Sequence, residues 1–122
     1  MEKKKNNKTK ELYHIDDELI VLFNQLKEHK KMPAKNSVIS ERTRKLMLSD
    51  ITKKAKKVGE EAVEVAIEAS QGNVKTTIEE SVDLIYNLFA LWIDMDIDIN
   101  DIKKECKRRR INYGIASKLP KK

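Results

Sequence analysis

A chain of 122 residues with one cysteine, three isolated glycines and two prolines has the length of a single domain; it excludes an intrachain disulfide, a cysteine-based zinc site and a glycine-rich phosphate loop. Charged residues make up 38% and hydrophobic residues 39%, a balance that favours helices with one apolar face each over a sheet sandwich. The net charge of +6 is unevenly placed, with five lysines against one glutamate in residues 1–10, nine basic residues against one acidic in 103–122, and an acidic middle, so local pattern says more about partners than the overall pI does.

Residues 1–10 (MEKKKNNKTK) have no apolar periodicity and are expected to be disordered. They also lack the apolar core of a secretion signal, and the longest apolar run, Leu88 to Ile93, is far too short to span a bilayer. With a lone Cys106, expected to be packed rather than reactive, these features predict a cytoplasmic protein that does not engage a membrane.

A first helix is predicted from the acidic start Asp16, Asp17 and Glu18 through Leu19, Leu22, Phe23 and Leu26, ending at Met32-Pro33. Ala34 to about Ser40 reads as a connector. From Glu41 the helical pattern resumes and either continues or restarts at a Ser49 cap, reaching Ser70 before the Gly72-Asn73 turn. A third helix is predicted from about Lys75 to Asp94, and a fourth from an Asn100 cap to Tyr113, ending at Gly114. The expectation is an all-α antiparallel bundle of about four helices occupying residues 11–113, followed by a basic tail, 114–122. The short connection makes the second and third helices antiparallel neighbours.

The second helix poses a chemical problem. At about 100° per residue, Lys57, Glu60, Glu61, Glu64 and Glu68 share an arc of roughly 100°, while Val58, Ala62, Val63, Val65, Ala66, Ile67 and Ala69 cover most of the rest. Such a helix is predicted to be mostly surrounded by protein. On the third helix Glu80, Asp83 and Asn87 form a matching stripe among Leu84, Leu91 and Ala90. Set antiparallel, the helices can point Glu61 and Glu64 at Glu80 and Asp83. Four converging carboxylates raise one another's pKa and repel. An all-oxygen carboxylate set suits Mg²⁺ or Mn²⁺, which removes that cost and leaves positions open for phosphate oxygens.

A lone E-E-x-x-E is usually a solvated helix face; two such clusters embedded in adjacent apolar helices are a different signal. A di-iron bundle needs two Glu-x-x-His pairs on the helices that carry the carboxylates; the one such spacing, Glu11 to His14, lies in another segment, and His29 follows no glutamate at that spacing. Lys53, Lys54, Lys56, Lys57 and the run from Lys107 to Arg110 are the cations available for phosphates. Tyr86 and Trp92 read as core or dimer contacts, and the two histidines as surface residues.

The segments Lys57-Val-Gly-Glu-Glu-Ala-Val-Glu64 and Glu80-Ser-Val-Asp-Leu-Ile-Tyr86 resemble the phosphoribosyl-ATP pyrophosphohydrolases of histidine biosynthesis, within the wider MazG-like all-α nucleotide pyrophosphohydrolases. The resemblance runs from about Leu48 to Arg110. It implies a helical bundle, a homodimer, Mg²⁺, and cleavage of a nucleotide between its α and β phosphates. By position it assigns Glu61, Glu64, Glu80 and Asp83 to the metal, Glu60 to a catalytic or supporting role toward water, and Lys57 to substrate phosphate; Lys53 and Asn87, on the same two helices, are expected as further phosphate contacts. Two departures stand out: the Ser-aromatic-Thr start is missing before the motif, and Asn87 stands where the family commonly has histidine. The expected activity is therefore Mg-dependent hydrolysis of phosphoribosyl-ATP. The alternatives are a MazG-like house-cleaning enzyme acting on another nucleoside triphosphate, and a basic helical nucleic-acid binder. Against the last, the basic residues are not interleaved with aromatics.

Overall fold

A computed structural model describes residues 18–30 and 38–112, all in helices and the short turns that join them. Helix α1 covers residues 18–30, α2 Val38–Leu48, α3 Ile51–Ser70, α4 Val74–Asp94 and α5 Ile99–Asn112. The all-α expectation holds, with five helices among the described residues in place of about four. The expected disordered head, the Met32-Pro33 stop, the Gly114 stop and the basic tail lie outside the described residues, as does His14.

The extra helix arises because the second predicted element is broken. Asp50, not Ser49, caps α3: its side chain accepts the Lys53 backbone N–H at 2.8 Å. Ser49 instead turns its hydroxyl back onto the Leu46 carbonyl, closing the end of α2. The expected connector is also shorter, since Val38 to Ser40 are already helical. At α5 the cap is Asp98 rather than Asn100. Asp98 accepts the Asn100 N–H, and Asp101 reaches back to the Asp98 N–H at 2.8 Å, a reciprocal capping box that places Asn100 inside the first turn.

Two helices end in the same way. After α3, Gly72 takes φ 75° while the Asn73 N–H reaches the Glu68 carbonyl and the Gly72 N–H reaches Ala69. After α4, Asp96 takes φ 56° while Ile97 reaches Trp92 and Asp96 reaches Ile93. Both are Schellman motifs, in which a left-handed residue lets the chain double back and pairs the last carbonyls.

The core lies between α1, α2 and the C-terminal half of α4. Phe23 and Leu26 from α1, Leu46 and Met47 from α2, and Phe89, Ala90 and Ile93 from α4 are buried together, with Tyr86, Trp92 and Ile99 packed against them. Phe23 meets Phe89 edge-on, with ring centroids 5.3 Å apart. Lys27 pairs with Asp98 at 3.3 Å, and Lys30 donates to the Ile93 carbonyl, tying α1 to the end of α4.

Helices α3 and α4 are antiparallel, since Lys54 meets Asp94 while Glu61 meets Glu80. The expectation that α3 would be surrounded is not met by the chain alone: Lys54 is its one buried residue, and Val63 and Ile67 are exposed. Val74, Ile78 and Val82 on the first half of α4 are exposed as well. The reason is reach, because α1 and α2 cover only the second half of α4. Cys106 is exposed rather than packed, and His29 is half-buried, with its Nδ1 buried and unpartnered. No helix among the described residues is long and apolar enough to cross a membrane.

Candidate active site

One cavity of about 600 Å³ opens between α2, α3 and the middle of α4. Its α3 wall carries Lys53, Lys57 and Glu61, spaced four residues apart and so aligned on one face. From α4 come Val82, Asp83, Tyr86 and Asn87; from α2 come Arg42, Thr43, Lys45, Leu46 and the following Ser49; and Leu22 of α1 closes the floor.

The antiparallel α3–α4 hairpin brings Glu61, Glu80 and Asp83 together, with one carboxylate oxygen of each within 4.8 Å of the others. Glu61 and Glu80 are half-buried and Asp83 is exposed. Partial desolvation pushes the Glu80 carboxyl above its ordinary value; the Asp83 and Glu61 charges, a hydrogen bond shared with Glu61 and the Glu64 charge add to it in that order. Glu64 thus stands close enough to be felt by Glu80 but outside the tight trio. Glu60 is exposed and lines neither the cavity nor the trio; Glu68 accepts from the Asn73 amide at the hairpin turn.

The lysines divide. Lys53 and Lys57 face the cavity as expected, whereas Lys54 is buried beneath it, donating to the Met47 and Ser49 carbonyls and pairing with Asp94 at 3.3 Å. Lys56 and the run from Lys107 to Arg110 do not line the cavity. Arg108 and Arg109 instead pair with Glu105 on their own helix, at 2.8 and 3.0 Å, and hold that carboxyl down at about 2.

Asn87 lies in the wall, buried, its amide donating to the Asp83 carbonyl at 2.8 Å. This bond fixes the turn of α4 that presents Asp83. Tyr86 shares a 2.8 Å hydrogen bond with Thr43, so α2 is docked on α4 beside the carboxylates. Arg42, Thr43 and Lys45 were not singled out from the sequence, and Ser49 only as a helix cap. Their signal was the i, i+3, i+7 spacing of Arg42, Lys45 and Ser49, legible only once the docking of α2 on α4 is known.

The arrangement places an oxygen-donor cluster at one end of a cleft and uncompensated cations along it. Among the described residues Arg42, Lys45, Lys53 and Lys57 make no ion pair. That combination suits a polyanion bound together with a divalent cation.

Comparison with known proteins reaches the expected end at Arg110 and begins well before the expected start at Leu48. Residues 18–110 match the family model for phosphoribosyl-ATP pyrophosphohydrolase. The chain is 46% identical over 80 residues to phosphoribosyl-ATP pyrophosphatase 2 of Rhodopseudomonas palustris, covering 66% of this chain and 61% of that protein. It is 46% identical over 74 residues to the phosphoribosyl-ATP pyrophosphatase of Gluconobacter oxydans, covering 61% and 56%. With that of Azospirillum brasilense the identity is 40% over 80 residues, covering 66% and 72%. The matches with the first two thus span about three fifths of those relatives. No solved structure matches the chain.

Proposed function

The chain belongs to the phosphoribosyl-ATP pyrophosphohydrolase family, and from that premise we propose that it hydrolyses phosphoribosyl-ATP to phosphoribosyl-AMP and pyrophosphate. The observation that carries this reading is the trio Glu61, Glu80 and Asp83, which stands at the end of a cleft whose length is lined by unpaired cations.

The trio fits a divalent cation by donor chemistry. Three carboxylates share a space where Glu80 already resists ionisation, so a hard cation relieves the repulsion and finds only oxygen ligands. Glu61, Glu80 and Asp83 would hold Mg²⁺ or Mn²⁺, with Glu64 completing the set. When bound, such an ion neutralises polyphosphate charge and polarises the phosphorus under attack.

Lys57, one turn from Glu61, binds the oxygens of the departing phosphates, and Asn87 keeps Asp83 in place. Glu60 faces solvent outside the cavity and the trio, so we give it the supporting role in place of the base, and the attacking water releases its proton to solvent. The water oxygen bonds to the α phosphorus, the α–β anhydride bond breaks, and its electron pair leaves with pyrophosphate. We place the reaction in the cytoplasm.

The working unit in this reading is a homodimer. Val63, Ile67, Val74 and Ile78 are exposed on α3 and on the half of α4 that the described residues leave bare. A second copy covering them would gain roughly 1 kcal/mol per half-exposed side chain. Nucleic-acid binding has less support, because two arginines of the basic run are held by Glu105.

Pyrophosphate release with Mg²⁺ from phosphoribosyl-ATP, compared with a panel of nucleoside triphosphates, tests the reading. Turnover of phosphoribosyl-ATP well above all others is expected. Preference for a nucleoside triphosphate would move the chain to the house-cleaning alternative, and inertness toward all of them would refute it.

A further inference from the structure

We propose that Lys45 and Lys53 form a second phosphate site, remote from the carboxylates, which selects nucleotides carrying a separate phosphate monoester at the end opposite the scissile polyphosphate. The proposal rests on the reading of the cleft as a nucleotide pyrophosphohydrolase site and names residues for the part of the substrate that does not react.

The argument is one of length. Lys53, Lys57 and Glu61 lie on one face of α3 at successive turns, and a rise of about 1.5 Å per residue places Lys57 roughly 6 Å and Lys53 roughly 12 Å from Glu61 along the axis. Side chains on a helix lean toward its N-terminus, so Lys53 leads away from the carboxylates and Lys57 leads away from Glu61 into the cleft between them. Lys57 therefore accounts for a polyphosphate at the trio. Lys53 stands beyond the span of a single pyrophosphate.

It does not stand alone. Helix α2 ends at Leu48 and α3 begins at Ile51, and Lys54 bonds the Met47 and Ser49 carbonyls, so the two helices meet in a fixed corner. Lys45, one turn before that end, and Lys53, in the first turn of α3, both line the cleft there. The α4 wall stops at Asn87, opposite the carboxylate half, and supplies no acid to the corner lining. Neither lysine makes an ion pair among the described residues. Two unpaired ammonium groups lining one cleft repel each other, and an anion bound between them removes that repulsion. Between the corner and the trio, the Thr43–Tyr86 pair, Leu46 and Val82 provide the mixed apolar and hydroxyl wall that a base and its sugars require.

Isothermal titration of the full chain with phosphoribosyl-AMP, with AMP and with inorganic pyrophosphate, all in Mg²⁺, tests this. The unmodified protein is expected to bind phosphoribosyl-AMP about tenfold or more tightly than AMP, the order of one charge-assisted phosphate contact. Lys45→Gln and Lys53→Gln, singly and together, should erase that advantage while leaving AMP and pyrophosphate affinities within about twofold. Lys45→Arg and Lys53→Arg should keep it, as should Lys56→Gln, an exposed lysine on the same helix outside the cleft. Equal losses for AMP or pyrophosphate, an equal effect of Lys56→Gln, or no advantage in the unmodified protein would each overturn the proposal. Failure of the hydrolytic reading shows separately, as a retained monoester-dependent advantage in a protein that releases no pyrophosphate from phosphoribosyl-ATP.

Discussion

The Lys54 ammonium, 1% exposed, meets the Asp94 carboxylate at 3.3 Å across forty residues of sequence. It also holds the Met47 and Ser49 carbonyls, so one side chain joins the end of α2, the start of α3 and the end of α4. Lys54→Met keeps much of the volume but leaves two carbonyls and a half-buried carboxylate without their donor. A loss of about 3 kcal/mol in denaturant-monitored stability is expected; a loss below about 1 kcal/mol would mean that water replaces the ammonium with little penalty.

Asp83→Asn and Glu80→Gln each remove one oxygen anion from the trio. Turnover should fall by more than about 100-fold, the upper figure for losing even an outer partner of a metal ligand. Thermal stability in EDTA should stay level or rise, because each change removes one of the carboxylates that repel one another. A marked drop in metal-free melting temperature would show that the carboxylates are structural. Excess EDTA should abolish activity of the unmodified chain.

Ile78, exposed near the start of α4, tests the bare apolar surface. Light scattering of the unmodified protein at micromolar concentration should give twice the chain mass, and Ile78→Lys should shift it toward the monomer by placing a charge where apolar contact is expected. A monomeric unmodified protein would refute the dimer.

Asp96 occupies a left-handed position, φ 56°, directly after α4, where its charge also faces the negative end of the helix dipole. Its contact with Lys30 is 3.9 Å long and fully at the surface. Asp96→Gly should therefore raise stability, by about 1 kcal/mol in chemical unfolding. Gly72, which holds the equivalent place after α3, should respond in the opposite sense to Gly72→Ala.

The Glu105 carboxyl, bound first by Arg108 and then by Arg109, should titrate near 2 in a carbon-detected NMR experiment. A carboxyl whose folded-state pKa is depressed stabilises the fold above its unfolded value of about 4.5. That contribution disappears as pH falls toward 2. The Glu105→Gln variant should therefore be less stable than the unmodified protein at neutral pH, by a small margin because the groups are well exposed, and the two should converge as pH falls toward 2.

The sequence made the α3–α4 half of the molecule readable because its signals are local. Gly72-Asn73 marked the turn, and the three- and four-residue spacing of Glu61, Glu64, Glu80 and Asp83 marked the faces that meet there. Lys53 and Lys57 could be picked out for the same reason. The break at Asp50 was less visible, since Ser49 and Asp50 are both good caps and only the choice of hydrogen bond separates them. Lys54 and Lys57 cannot be told apart by type; burial against Asp94, a contact forty residues distant, decides their roles. Arg42 and Lys45 escaped notice because their place in the cleft follows from docking, through Thr43 and Tyr86, of a helix whose own pattern is weak.

The tight turn at Gly72 has a kinetic consequence. All the carboxylates of the trio come from two helices joined by a Schellman turn, so Glu61 and Asp83 meet after closure of a loop of only some twenty residues. Short-range contacts of this kind form early, before a distant segment such as α1 has been placed. The carboxylate hairpin can thus assemble first and serve as the template on which α2 later lands with its lysine. An ion captured at that stage would speed folding as well as serve the proposed reaction, which makes refolding with and without Mg²⁺ a view of the order in which this molecule is built.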